Sequence, residues 1–104
     1  MATERLCALA DLPVGETRVF VIDGARLVAA RSGDTVFVVE DRCSHDDGEL
    51  GAGTLHGLEI ECPRHGARFD LRDGRATRMP AVAPIATFAT HVVDGDVLVD
   101  MPEY

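Results

Sequence analysis

The sequence has no lysine, no tryptophan and a single tyrosine. All ten basic residues are arginine, against eighteen Asp and Glu, so the 104-residue chain carries a formal charge of −8. Its pI is about 4.7. This shortage of positive charge argues against binding to a phosphate backbone or an anionic lipid surface. It suits steering toward a partner with a basic docking face. Long apolar runs are missing too. The longest stretch without Asp, Glu or Arg, Met79–Val93, is interrupted by Pro80 and Pro84, too short and broken to span a bilayer. The opening Met-Ala-Thr-Glu-Arg has no apolar core of the kind a secretory leader needs. A cytoplasmic protein that binds neither nucleic acid nor membrane is therefore expected. Cysteine is scarce: Cys7, Cys43 and Cys62. An odd number in a reducing compartment does not build a disulfide scaffold.

What is present is ordinary for a soluble globular chain, with 46% hydrophobic and 27% charged residues. The length predicts one domain, residues 1–104. Strand signals dominate. Thr17–Ile22 and Thr35–Val39 are rich in β-branched and aromatic residues, Leu58–Glu61 alternates apolar with acidic, and Val97–Val99 closes the series. Asp23-Gly24, Asp73-Gly74 and Asp94-Gly95 read as hairpin turns, with Gly33-Asp34 a weaker signal of the same kind. No amphipathic helix is evident. Met1–Leu12 fits either a short helical turn or a strand. The pattern predicts an all-β, antiparallel sandwich or barrel.

Two stretches break it, about 41–53 and about 62–68, and both hold Cys beside His. The first contains Cys43-Ser44-His45 and the second Cys62-Pro63-Arg64-His65. Each places a thiolate donor and an imidazole donor on one tight loop. Together they offer two sulfurs and two nitrogens. A zinc site is the alternative, but zinc spacings usually pair like ligands, C-x₂₋₄-C and H-x₃₋₅-H, whereas each loop here mixes Cys with His. Cys7, on a strand, is expected to be a small buried hydrophobe. His56, before Gly57, is expected at an exposed turn, and His91 on a strand; neither has a Cys beside it. Asp46, Asp47 and Glu49 read as a solvated acidic loop.

C-x-H followed by C-x-x-H at this gap resembles the signature of Rieske [2Fe–2S] proteins. The resemblance extends to Leu9–Glu16, to Cys62-Pro-Arg-His-Gly-Ala-Arg-Phe-Asp-Leu71 with Gly74, and to Met79-Pro80. It implies a β base carrying a small cluster-binding subdomain, with a covering loop at about 79–81. It further implies one [2Fe–2S] cluster held by Cys43, His45, Cys62 and His65. Two thiolates would cancel the formal charge of two ferric ions and two sulfides, and two neutral imidazoles would add nothing. An electron then enters a neutral site, which raises the potential above that of an all-thiolate cluster.

Respiratory-complex Rieske proteins carry a disulfide clamp and two hydroxyls near the cluster sulfurs. The matching positions here are Gly48 and Arg64, and Ala67 and Phe69. No clamp can form and no hydroxyl is available. The resemblance therefore implies a potential in the lower part of the span of roughly −150 to +300 mV.

By resemblance the protein is a monomeric ferredoxin, not an enzyme. It would take electrons from a flavin-dependent reductase and pass them to a terminal non-haem iron oxygenase of the aromatic-ring-hydroxylating type. The alternatives are a small Rieske subunit of a nitrite-reductase-type complex or a ferredoxin serving other redox metabolism. Transient docking is expected to weaken with salt; an apolar route would run through the loop around Leu50 and Pro80.

Overall fold

The computed structural model describes residues 2–101. Strand β1 (Ala2–Ala8) is followed by one 3₁₀ turn (Leu9–Asp11), so the ambiguous amino-terminal segment forms a strand first and a helical turn after it. Then come β2 (Thr17–Ile22), β3 (Ala25–Ser32) and β4 (Thr35–Glu40). Four short strands follow, β5 (Thr54–His56), β6 (Glu59–Glu61), β7 (Arg68–Asp70) and β8 (Ala76–Arg78). The chain closes with β9 (Thr87–Phe88), β10 (Thr90–Val93) and β11 (Asp96–Met101). All pairings are antiparallel, in three sheets ordered β1-β11-β10, β2-β3-β4-β9 and β5-β6-β7-β8.

The expected turns form. Asp23-Gly24 (φ 51° and 81°) joins β2 to β3, and Asp94-Gly95 (φ 50° and 79°) joins β10 to β11. Left-handed backbone at both central residues matches the twist of the strands it connects.

The second sheet is the middle layer. Leu27 and Ala29 of β3 face one core with Val36, Val38, Val97 and Val99, while Val28 and Ala30 face another with Ile60, Phe69 and Leu71. A strand buried on both faces reads as a continuous apolar run, here Leu27–Ala30. Ala is a poor strand former, so burial and not propensity makes β3.

Residues 41–86 form a lobe that leaves and rejoins the middle sheet on neighbouring strands. Val39 pairs with Thr87, and the Glu40 N–H donates to the Ala86 carbonyl at 3.0 Å. That lobe carries both Cys–His stretches. Among the described residues, no helix is long and apolar enough to cross a membrane.

Candidate metal centre

The two Cys–His stretches connect β4 to β5 and β6 to β7, and their backbones repeat one design. The Cys43 N–H donates to the Gly48 carbonyl (2.7 Å), and the Cys62 N–H donates to the Ala67 carbonyl (2.7 Å). The Cys43 carbonyl accepts the Asp47 N–H (2.8 Å), and the Cys62 carbonyl accepts the Gly66 N–H (3.1 Å). In both, the residue four beyond Cys is left-handed: Asp47 at φ 61° and Gly66 at φ 76°. Each loop is thus a tight turn that closes on its own cysteine. The histidine sits two residues after Cys in the first loop and three after it in the second.

This design buries the thiols and exposes the imidazoles. Cys43 and Cys62 are each 1% exposed and share a core with Ile60, Phe69 and Ala81. Their sulfurs and one Asp46 carboxylate oxygen all lie within 4.8 Å of one another. Burial pushes the Cys43 thiol up, and the Cys62 thiol beside it adds to this; the backbone N–H groups of His45 and Asp46 draw it back. The His45 and His65 rings stand 5.4 Å apart at 88°, on the exposed side.

Asp46 departs from the expected solvated loop. Its side chain is 18% exposed and turned inward. Oδ1 accepts the Gly48 N–H at 2.9 Å, which fixes the carboxylate in the turn. Oδ2 lies 3.0 Å from Arg64 Nε and 3.5 Å from His65 Nε2, without the alignment of a hydrogen bond. The Gly48 N–H, then the charge of Arg64, hold this carboxyl below its ordinary range. Arg64 spans the gap between the loops: a Cβ on Gly48 would come 2.7 Å from Arg64 Cδ. The two positions matched to a disulfide clamp are therefore neighbours in packing contact, and the ion pair of Arg64 with Asp46 links the same two loops.

Asp41, which the sequence does not distinguish from Glu40 beside it, ties the first loop to the base. Its buried Oδ1 accepts the N–H groups of Leu50 (2.7 Å) and Gly51 (2.8 Å), and its Oδ2 accepts Arg26 Nε (3.2 Å) and Nη2 (3.0 Å). Leu50 is fully buried and cannot be a docking surface, because these bonds draw its backbone into the core. The segment from Met79 to Ile85 packs against the core that holds the two cysteines. The Met79–Pro80 bond is cis, Ala81 and Ile85 are buried, and Ser44 Oγ donates to the Ala83 carbonyl at 2.5 Å.

The remaining candidates lie elsewhere. Cys7 is buried in the other core, as expected. His56 stands on β5, 3.0 Å from Glu61, and His91 on β10, 2.8 Å from Asp100.

The donor set suits a Rieske cluster. Two buried sulfurs face each other, two imidazoles stand on the solvent side, and one polar atom of the pocket, Asp46 Oδ2, is left without a hydrogen bond. A family model for the Rieske [2Fe-2S] domain matches residues 3–89. The 3-phenylpropionate/cinnamic acid dioxygenase ferredoxin subunit of Escherichia coli (strain K12) is 37% identical over 99 residues, covering 93% of this chain and 92% of that protein. The ferredoxin of carbazole 1,9a-dioxygenase from Nocardioides aromaticivorans IC177 superposes with a TM-score of 0.92 at 36% identity, covering 95% of this chain and 97% of that one. A ferredoxin solved in complex with reduced oxygenase of carbazole 1,9a-dioxygenase superposes with a TM-score of 0.89 at 36% identity, over 93% and 91% of the two chains. Matched along most of its length by the family model and by carriers of similar size, this chain belongs to the Rieske [2Fe–2S] domain family, as one of its small electron-carrying ferredoxins.

Proposed function

We propose that Cys43, His45, Cys62 and His65 are the cluster ligands. The chain then shuttles single electrons from a flavin-dependent reductase to a terminal non-haem iron oxygenase of the aromatic-ring-hydroxylating type. On this reading residues 1–104 act as one domain, a monomer in the cytoplasm. The loops at about 41–53 and 62–68 hold the cluster, and the segment at about 79–81 covers it. The observation that carries the reading is the repeated loop, which buries a thiol and exposes an imidazole twice over.

When bound, a [2Fe–2S] cluster accepts and returns one electron. The protein's part is to set the surroundings. Buried Cys43 and Cys62 supply two negative charges in a dry core, where an uncompensated charge is costly. Exposed His45 and His65 bring the electron's exit to the surface, where a partner can approach. Ala81 and Ile85 keep water from the sulfur side.

A spectroelectrochemical titration tests this. A brown protein that bleaches at a low Rieske potential is expected, and Cys43→Ser or Cys62→Ser should abolish the colour. His65→Cys should keep a coloured cluster but lower its potential, since a thiolate replaces a neutral donor. A colourless protein rich in zinc, or colour that survives loss of either cysteine, would overturn the assignment. Turnover of an aromatic-ring oxygenase with reduced protein as sole donor tests the partner.

A further inference from the structure

Charge is divided sharply between the two sides of the site. Residues 64–78 hold five of the ten arginines but only two of the eighteen carboxylates, a net +3 inside a chain of −8. Residues 40–49 hold five carboxylates and one arginine, a net −4. The acidic side is compensated by three arginines, one of its own and two from outside it: Arg42 pairs with Asp47 and Glu40, Arg26 of β3 with Asp41 and Glu49, and Arg64 with Asp46.

On the basic side Arg64, Arg68 and Arg72 are paired as well, but among the described residues Arg75 and Arg78 are not. β8 is the edge strand of its sheet and runs back toward the loop of Cys62, so Arg78 lies opposite Arg68 in the ladder. Like charges facing each other across a ladder are destabilising. Arg68 is relieved by Glu61 (3.1 Å) and Glu59 (3.8 Å) on β6. Arg78 has no strand beyond it, and among the described residues neither it nor Arg75 has a carboxylate within ion-pair distance. Directly after Arg78 stands Met79, 74% exposed, and then Val82, 82% exposed, on the segment that Ser44 holds over the site. An uncompensated cation beside exposed apolar side chains, next to the surface where electrons leave, lacks one thing: an external carboxylate.

We propose that the β8 edge, Arg78 with Arg75 and Met79, docks an acidic patch on the protein that exchanges electrons with this ferredoxin. This goes beyond net charge, which points only to basic partners, and it rests on the electron-carrier reading above. The acidic loop and the basic edge flank the exit on two sides. A partner whose charges are complementary to both can seat in one rotational orientation and be rejected in the opposite one.

The test uses holoprotein and two small oxidants of opposite charge. Reduced ferredoxin gives one electron to hexacyanoferrate(III), a trianion, or to tris(phenanthroline)cobalt(III), a trication, and stopped-flow bleaching gives the rate. If the Arg78 edge governs the exit, the trianion rate falls as salt rises from about 10 mM to about 0.2 M, although the protein is acidic. Arg75→Glu with Arg78→Glu then slows the trianion about three- to tenfold at low salt and speeds the trication. A charge-matched control on the base, Arg5→Glu with Arg18→Glu, leaves both rates within about twofold. Poly-L-glutamate, standing in for an acidic protein surface, slows hexacyanoferrate(III) oxidation of the native protein and not of the Arg75/Arg78 variant. Arg78→Thr keeps or raises the urea midpoint, as release of a like-charge pair requires.

The proposal fails if the two double variants behave alike, if poly-L-glutamate has no effect, or if Arg78→Thr destabilises the fold. It also fails if the native protein forms salt-labile dimers, which would make a second copy the occupant. Absence of the visible cluster bands would instead sink the carrier reading itself.

Discussion

The loop around Cys43 and the loop around Cys62 close with the same pair of backbone hydrogen bonds, yet one is crowded with carboxylates and the other leads into an arginine-rich hairpin. Each is backed by one of the two buried charged side chains among the described residues, Asp41 behind the first and Asp70 behind the second. These carboxylates work differently. Asp41 reaches across elements, joining β3 to the far end of its loop, whereas Asp70 is satisfied locally by Arg72 two residues on. A shared backbone is thus enough to present a thiol and an imidazole. Charge and anchoring are free to differ, and they decide what each side touches.

Removing the long-range anchor should separate the two loops most. Asp41→Ala leaves the N–H groups of Leu50 and Gly51 without their acceptor and Arg26 with only the longer contact to Glu49, and should cost about 3 kcal/mol. Urea unfolding followed by visible absorbance measures it. A cost below about 1 kcal/mol would mean the loop holds itself.

The local anchor should matter less and show itself in acid. Its bonds from Arg72 hold the Asp70 carboxyl down to about 2, from an ordinary value of 3.8. A carboxyl lowered on folding stabilises the fold above its unfolded pKa and loses that contribution as pH falls through the folded value. The loss therefore falls between about pH 4 and pH 2, and the stability margin of native protein over Asp70→Asn, full above about pH 4, should disappear across that window. Arg72 is 60% exposed, so the effect is about 1–2 kcal/mol after screening. Matching acid-unfolding curves would remove Asp70 from the comparison.

The left-handed position offers a finer contrast. Gly66→Ala places a Cβ where φ is 76° and should cost about 1–2 kcal/mol. Asp47→Gly relieves such strain but loses an exposed pair with Arg42, so it should change stability by less than about 1 kcal/mol. Equal costs would show that the loops are not equivalent.

The smallest effect is expected at Ala67. Ala67→Ser adds a hydroxyl at a fully buried position whose carbonyl already serves Cys62, and should raise the potential by tens of millivolts. An unchanged potential in the titration would mean that the hydroxyl does not reach a sulfur.

Much of this is legible in the sequence. The Cys–His spacing marks the loops, and the Asp-Gly pairs mark the hairpins, because both depend on neighbours along the chain. What stayed hidden depends on neighbours in space. β3 is Ala-rich and is made by burial on two faces. Leu50 reads as a docking candidate in the sequence, but Asp41 holds its backbone inside. Asp46 read as one more solvated acid, and only the turn's N–H aims it at the thiols. Arg78 is unremarkable in the sequence; its meaning comes from the ladder that sets it against Arg68.

The lobe that carries the site begins after Glu40 and ends before Thr87, and these two points face each other on adjacent strands. Forty-six residues thus depart from and return to one rung of the middle sheet. An excursion with coincident ends leaves the register of its parent sheet untouched, whatever its length. The base can therefore accept longer, shorter or differently charged lobes without altering its own pairing. In this sense the molecule is a socket and an insert, and a change of electron-transfer partner requires rewriting only the insert.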